Sequence, residues 1–200
     1  MTAADPTGAH LRAATHGDAA SMAALHASCI AEGFLVALGP RFLQLLYKRV
    51  VSSSGSFAFV VDGPTGAIGF VTCTTDTRAL YREFLRRDGL FAGAAAFPRV
   101  VRSPWRVWET WRYGARSDHG GSGSELLALA VAPEARGRGL GCALVAAAVD
   151  EFRRRGVESA RVVTATGNDA ALRCYEVAGF RRAGADEVHR GVRQEVLMWP

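Results

Sequence analysis

Hydrophobic residues recur with a helical period in four stretches of this chain. One series follows Asp18, and a second begins at Pro40, a residue that fits the first turn of a helix. A third runs over residues 140–155 and ends in three arginines and Gly156, which is typical of a helix C-terminus. The fourth is predicted to run from Asn168 to Ala178. The four stretches predict four amphipathic helices.

Between these helices lie runs whose composition is typical of β-strands. Residues 57–61 and 67–73 flank a turn at 62–66 and predict a hairpin. Residues 124–131 are almost continuously apolar, as expected of a central strand that is buried on both faces. Further strands are predicted at residues 11–15, at 160–166, after Gly179 and at 192–199. The mixture of helices and strands predicts an α/β fold.

The length of 200 residues fits one domain, and a composition of 49% hydrophobic and 22% charged residues is that of a globular protein. Residues 1–9 are polar and small and predict a flexible tail, so we expect a single domain over 10–200. The sequence contains no apolar run near the roughly 20 residues that cross a bilayer, and its beginning lacks the pattern of a signal peptide. We therefore expect a cytoplasmic location.

Residues 77–116 differ in composition from the rest of the chain. They hold nine arginines against three acidic residues, and three tryptophans at a spacing of three, Trp105, Trp108 and Trp111. About 40 residues rarely fold alone, so we predict a helical insertion within the domain. Its side chains could pack into the core, cover an anionic small molecule or contact a membrane surface.

The cysteines and the net charge give limited information about metal sites, disulfides and binding partners. The four cysteines lie far apart and form no C-x-x-C pair, so the sequence predicts neither a metal site nor disulfides, and small buried side chains instead. The net charge of +5 is compatible with phosphate-bearing partners. Because the arginines form no recognisable nucleic-acid-binding motif, we expect no nucleic-acid partner.

The most informative segment joins the strand that ends at Val131 to the helix that begins near Leu140. The loop between them contains Pro133 and the glycine-rich run of residues 136–141, RGRGLG. The first N–H groups of a helix lack internal partners and carry positive potential, and glycines let a phosphate approach closely. The spacing fits neither a G-x-G-x-x-G fingerprint nor a phosphate-binding loop that ends in Gly-Lys-Ser/Thr. We predict a diphosphate-binding loop.

Two motifs carry a resemblance to a known family. Residues 131–141, VAPEARGRGLG, resemble the acyl-CoA-binding signature V-x-P-x-x-[RQ]-x-x-G-x-[GA] of GNAT N-acetyltransferases. Residues 168–180, NDAALRCYEVAGF, resemble that family's N-x-x-A-x-x-x-Y-x-x-x-G-F motif, and the first strand and helix, Arg12 to His26, are similar to its R-x-A-x-x-x-D opening. The resemblance implies a central mixed, mostly antiparallel sheet of six or seven strands with flanking helices, and it places residues 77–116 between the third and fourth strands.

The resemblance also implies where acetyl-CoA would bind. The main chain of the central strand would pair with the pantetheine arm, and the amides of the glycine-rich loop would hold the pyrophosphate. These positions correspond to Leu129, Ala130 and Val131 in the strand and to Arg136, Gly137, Arg138, Gly139, Leu140 and Gly141 in the loop. A side-chain contact from Asn168 to the cofactor is implied as well. No metal is expected.

The family's chemistry needs an acid for the leaving thiolate and a base for the attacking amine. Tyr175 matches the family's general-acid tyrosine, although it could instead pack against Leu172 and Phe180. Glu125 begins an apolar strand, where a charge is costly unless it is used, and is our candidate base. Strict alternation would place it on the face of Leu129 unless a β-bulge intervenes, and it could also be a solvated strand end.

The resemblance therefore predicts transfer of an acetyl group from acetyl-CoA to a primary amine of a small-molecule acceptor, by direct attack in a ternary complex. An acceptor such as an amino sugar is one candidate. Alternatives are acetylation of protein N-termini or lysines, and a non-catalytic acyl-CoA sensor. A homodimer and peripheral membrane contact are left open.

Overall fold

The computed structural model describes residues 10–30, 34–64, 66–102, 123–187 and 193–200. Within those ranges seven strands form one sheet in the order β1-β2-β3-β4-β5-β7-β6. The strands are β1 (Leu11–Ala13), β2 (Ser56–Gly63), β3 (Gly66–Thr74), β4 (Glu125–Val131), β5 (Ala160–Ala165), β6 (Arg181–Glu187) and β7 (Arg193–Trp199). Neighbours are antiparallel except for β4 and β5, which are parallel, so the predicted fold class is confirmed.

Helices cover both faces of this sheet. They are α1 (Ala19–Cys29), α2 (Phe34–Leu38), α3 (Pro40–Ser52), α4 (Thr77–Arg102), α5 (Leu140–Arg154) and α6 (Asp169–Val177). Short 3₁₀ turns lie at His16–Asp18 and Pro133–Ala135. The four predicted helices are present. The short helix α2 was not predicted, whereas the helix from Thr77 to Arg102 lies within the predicted helical insertion.

Two hydrophobic cores lie on opposite faces of the sheet. Helices α5 and α6 cover the first core, where Leu144, Ala148 and Phe152 are fully buried. Helices α1, α3 and α4 cover the second, around Met22 and Phe70. The apolar residues at helical spacing therefore form amphipathic helices, as predicted, and each helix buries its apolar side against the sheet.

The described part of the insertion packs into the protein through one side of α4. Leu80 joins the second core, while Phe84 and Ala92 form a small third cluster with Leu46 of α3. Arg49 of α3 forms an ion pair of 2.7 Å with Asp88. Packing thus accounts for this part of the insertion, whereas the three tryptophans at 105, 108 and 111 and the tail at 1–9 lie outside the described residues.

A β-bulge in β4 decides which side chains face which core. Thr72 pairs with Ala128 and Cys73 pairs with Leu126, so Leu127 has no partner on β3. As a result Leu126 and Leu129 both contact the first core, whereas Leu127 and Ala128 contact the second. A bulge of one residue reverses the alternation at that point.

Strands β4 and β5 separate soon after they meet. Their parallel pairing is limited to Glu125 with Arg161 and Leu126 with Val162. From Leu127 to Val131 the edge of β4 that faces β5 has no strand partner within the described residues, although its other edge stays paired with β3. Apart from the Val131 carbonyl, which accepts from the side chains of Cys29 and Arg136, this edge offers main-chain N–H and C=O groups to an extended ligand.

Arg12 ties the beginning of the chain to the sheet and to α1. Its guanidinium contacts both oxygens of Asp18 at 2.8 Å and both oxygens of Asp62 at 2.7 and 2.9 Å. The hydrogen bonds from Arg12 hold the pKa of Asp18 well below its usual range. The spacing of Arg12 and Asp18 in the opening motif therefore has a structural explanation.

Candidate active site

The glycine-rich loop forms the N-terminal end of α5, and its backbone requires glycine at two positions. Gly137 and Gly139 have φ angles of 76° and 77°, in the left-handed region that other residues rarely adopt. Gly139 is the N-cap residue, and no side chain accepts from the first amides of the helix. The helical ladder begins only with the bond from the Ala143 amide to the Gly139 carbonyl. The amides before Ala143 are therefore donors available to an anion.

The two arginines of the loop differ in their contacts. Nε of Arg136 donates a 3.1 Å hydrogen bond to the carbonyl oxygen of Val131, which fixes the side chain across the turn. Arg138 is exposed. Together with the macrodipole of α5 they place positive charge beside the uncapped amides.

A cavity of about 840 Å³ extends from this helix end to the unpaired edge of β4. Its lining includes every predicted cofactor residue except Arg138, which lies in the same loop: Leu129, Ala130, Val131, Arg136, Gly137, Gly139, Leu140, Gly141 and Asn168. The sequence motifs therefore meet around one space. A volume of this size is that of a site for a large ligand.

Helix α6 forms the opposite wall of the cavity. Asn168 caps it, because its side-chain oxygen accepts from the Ala171 amide at 3.3 Å and its amide nitrogen donates to Thr164 at 3.4 Å. Arg173 also lines the cavity, and sequence reasoning missed it. Helical spacing was the signal that could have found it. Arg173 follows Ala170 by three residues, so the two share a face of α6, and this face points away from the buried Leu172.

The prediction that the cysteines form no disulfide is wrong for one pair. Cys142 in α5 and Cys174 in α6 are joined by a disulfide, and both line the cavity. They are 32 residues apart, and only the packing of the two helices brings them together. Cys29 and Cys73 are free thiols, and Cys73 is fully buried in the first core.

Cys29 brings a third sulfur atom to the same space. It ends α1, lines the cavity beside Ile30, and donates from Sγ to the carbonyl oxygen of Val131 at 3.6 Å. This carbonyl therefore receives two side-chain donors, Cys29 and Arg136.

The structure does not bring the side chain of Tyr175 into the cavity lining. Only 3% of the residue is exposed, and its ring lies against Phe180 with centroids 5.7 Å apart. Burial, with a smaller contribution from Cys73, raises its pKa above the ordinary value and keeps the phenol protonated at neutral pH. The acid role of Tyr175 stays a prediction.

The bulge at Leu127 decides the orientation of Glu125. The carboxylate turns away from the face of Leu129 and accepts from Thr77 Oγ1 at 3.1 Å, at the beginning of α4. It also accepts from Arg161 Nη2 at 3.0 Å. The side chain is 14% exposed, so the interpretation as a solvated strand end is wrong, whereas the base role stays a prediction.

Two tyrosines that sequence reasoning missed lie on this side of the sheet. Burial, and secondarily the charge of Glu125, raises the pKa of Tyr81 to about 12, although 36% of the residue is exposed. Further in, Tyr47 forms a hydrogen bond with Nδ1 of His26, and burial lowers the pKa of this histidine to about 4.

A sheet that opens beside an uncapped, glycine-rich helix end has the geometry for an extended, phosphate-bearing ligand. The sequence model of the family described as "Acetyltransferase (GNAT) family" matches residues 33–180. The chain belongs to this family, so the predicted resemblance is confirmed.

The chain is also similar to several known proteins. A mycothiol acetyltransferase of Sanguibacter keddieii is 47% identical over 62 residues, which is 31% of this chain and 20% of that protein. A spermidine N-acetyltransferase from Vibrio cholerae has a TM-score of 0.57 at 18% identity and covers 96% of this chain and 93% of its own. An Arabidopsis thaliana protein in complex with acetyl-CoA has a TM-score of 0.59 at 16% identity, over 96% of this chain and 97% of its own.

The described residues contain neither a cluster of metal-ligating side chains nor a helix that fits a membrane span. In those ranges no three His, Cys, Asp or Glu side chains come together as a metal site would need. Likewise, none of the described helices combines the length and the hydrophobicity of a membrane span.

Proposed function

We propose that this protein transfers an acetyl group from acetyl-CoA to a primary amine of a small-molecule acceptor, by direct attack in a ternary complex. The observation that carries the proposal is the single cavity that joins the uncapped end of α5 to the unpaired edge of β4. A diphosphate needs the first feature and an extended amide-bearing arm needs the second.

The described residues fit acetyl-CoA group by group. The amides of Gly137, Gly139 and Gly141 would hold the diphosphate, with Arg136 and Arg138 offsetting its charge. The main chain of residues 129–131 would pair with the amides of the pantetheine arm. When bound, the cosubstrate supplies an acetyl group activated as a thioester.

The reaction forms a C–N bond and breaks a C–S bond. A neutral amine is needed for the attack, the carbonyl oxygen takes negative charge, and the sulfur leaves as a thiolate. A main-chain N–H near Ala130 on the unpaired edge can donate to this oxygen without moving. The protein must also remove one proton from the amine and deliver one to the sulfur.

Two side chains are proposed for these proton transfers. Glu125 would accept the amine proton, directly or through water, from its position between Thr77 and Arg161. Tyr175 would donate to the thiolate, and its raised pKa keeps a proton on the phenol for that purpose. Neither side chain is in the lining of the cavity, so both roles need a direct test by substitution.

The acceptor would approach from the side of α1 and α4. Glu125 and the hydroxyl groups of Thr77 and Tyr81 offer acceptors to an ammonium group there. The names of the mycothiol acetyltransferase relative and of the spermidine N-acetyltransferase neighbour support a small-molecule amine.

The test is an acceptor screen with acetyl-CoA. The purified chain is incubated with amino sugars, polyamines, aminoglycosides and peptides, while released CoA is measured with a thiol reagent and products by mass spectrometry. Amine-dependent release of CoA with a small molecule supports the proposal. Turnover on peptides alone would replace it with protein acetylation, and tight acetyl-CoA binding without turnover on any amine would replace it with a sensor role.

A further inference from the structure

We infer that Cys142 and Cys174 form a reversible thiol–disulfide site that sets the affinity of the cavity for its acyl-CoA ligand. The inference rests on the proposed function, since it concerns the same cavity. It adds a modification site and a form of control to that function.

The disulfide crosses one wall of the cavity. On α5 it follows directly after Gly141, within the turn whose amides face the diphosphate site. On α6 it lies one turn after Ala170 and Ala171, which line the same space, and six residues after the cap Asn168. The bridge therefore couples the position of the phosphate-binding turn to the position of the opposite wall.

Both sulfur atoms are placed for exchange with small molecules. Cys142 and Cys174 are half-buried and line an open cavity, whereas Cys73 is 0% exposed. Burial raises the pKa of the Cys73 thiol well above its ordinary value, which suppresses the reactive thiolate. Cys73 is therefore an unreactive thiol, and it serves as an internal reference when the reactivity of Cys142 and Cys174 is measured.

The redox step is ordinary thiol–disulfide exchange. The thiolate of one cysteine attacks a sulfur atom of a low-molecular-weight disulfide and expels one thiol, and the second cysteine attacks the mixed disulfide and expels the other. The protein loses two electrons and two protons as the S–S bond forms, and the external disulfide is reduced to two thiols. A dithiol reverses the reaction.

Loss of the bridge removes the covalent link between α5 and α6, so that only their packing in the first core holds the opposite wall beside the phosphate-binding turn. The reduced protein must then order this wall when ligand binds, so its affinity falls. We expect a decrease of about tenfold, within the usual range of coupling between two sites. Linkage requires the ligand to favour the disulfide by the same factor, a shift of about 30 mV in the two-electron potential.

The experiment measures both directions of this coupling. Binding of a thioether analogue of acetyl-CoA, which has no free thiol to exchange, is followed by calorimetry on the disulfide and dithiol forms of the full chain. In parallel, alkylation and mass spectrometry give the fraction oxidised in dithiol redox buffers, with and without the analogue. The double variant Cys142→Ser/Cys174→Ser is the control, and its affinity should not respond to redox conditions.

The outcomes separate the two proposals. An affinity ratio near ten between the two forms, matched by an equal shift of the redox equilibrium and absent in the double variant, supports the inference. Equal affinities with a lower melting temperature of the reduced form reduce the bridge to a stabilising role and overturn it. If neither form binds the analogue, the proposed acetyl-CoA site fails, and the inference fails with it.

Discussion

Glu125 and Arg161 face each other in register on the parallel strands β4 and β5, and their side chains form an ion pair of 3.0 Å. They lie next to the pairing of Leu126 with Val162, after which the two strands diverge. The ion pair therefore stands at the closed end of the gap along which an extended ligand would bind. The same contact orients the carboxylate that we propose as the base, so its structural and chemical roles must be separated by experiment.

Replacement of Glu125 by glutamine tests the base. The amide keeps the size of the side chain and a hydrogen-bond acceptor for Thr77 but cannot remove a proton, so we expect kcat to fall by about 10²–10⁴-fold with a changed pH–rate profile. The matched variant is Arg161→Gln, which removes the ion pair and keeps the carboxylate. Equal losses in both variants, with unaltered pH profiles, would show that only the ion pair matters.

Replacement of Gly139 by alanine tests the diphosphate site. A side chain at φ 77° is strained, by about 1–2 kcal/mol, and it distorts the turn that presents the first amides of α5. We expect the Kd for acetyl-CoA to rise at least tenfold in calorimetry. Gly156→Ala is the control, because Gly156 has a φ of 68° and similarly open surroundings but follows the other end of the helix.

Equal unfolding midpoints of the two glycine variants, measured by chemical denaturation, would show that the strain is matched. A normal Kd for the Gly139 variant would remove the helix end from the binding site.

Replacement of Tyr175 by phenylalanine tests the acid. Phenylalanine fills the same space beside Phe180, so we expect little change in stability, while turnover slows by about 10–1000-fold at near-normal acetyl-CoA affinity. The measurement is steady-state kinetics with the acceptor found in the screen. Unchanged kcat would assign Tyr175 to the core alone, in agreement with its burial.

Acid stability tests the buried His26. Its folded-state pKa of about 4 lies below the ordinary value of about 6.5, so the unfolded chain binds a proton that the folded chain does not. Stability should therefore be constant above about pH 7 and fall by about 2 kcal/mol between pH 7.5 and pH 5. Urea denaturation at a series of pH values measures this slope.

The variant His26→Gln keeps a hydrogen-bonding partner for Tyr47 and should remove most of this pH dependence. Replacement of the exposed His16 by glutamine is the control and should leave the slope unchanged. A wild-type slope in the His26 variant would assign the effect to other groups.

Local pattern was enough to predict most of the framework. The start of α3 at Pro40, the hairpin of β2 and β3 and the loop that enters α5 all depend on residues close together in sequence, whose periods and turn chemistry can be recognised directly. The cofactor residues were predicted from the resemblance of two sequence motifs to those of the GNAT family, and their role stays a prediction.

Features that depend on non-local pairing could not be predicted in this way. The unpaired Leu127 exists because of the register between β4 and β3, and it alone decides which face Glu125 takes. The bond between Cys142 and Cys174 depends on the packing of two helices. The path of α4 through Gly89, Gly93 and Pro98 likewise conflicts with local propensity, and the burial of Leu80, Phe84 and Ala92 against the rest of the protein offsets that conflict.

The sheet keeps the two cores apart, and this has a consequence for how such a protein can change. Most of the proposed donor site lies in β4 and the α5–α6 layer, while the proposed acceptor approach depends on the α1–α4 layer on the other face of the sheet. Substitutions that change the size or charge of side chains in the α1–α4 layer would leave the glycine-rich loop before α5 in place. A descendant of this sequence can therefore acquire a new amine partner by mutation in one layer while retaining its acyl source.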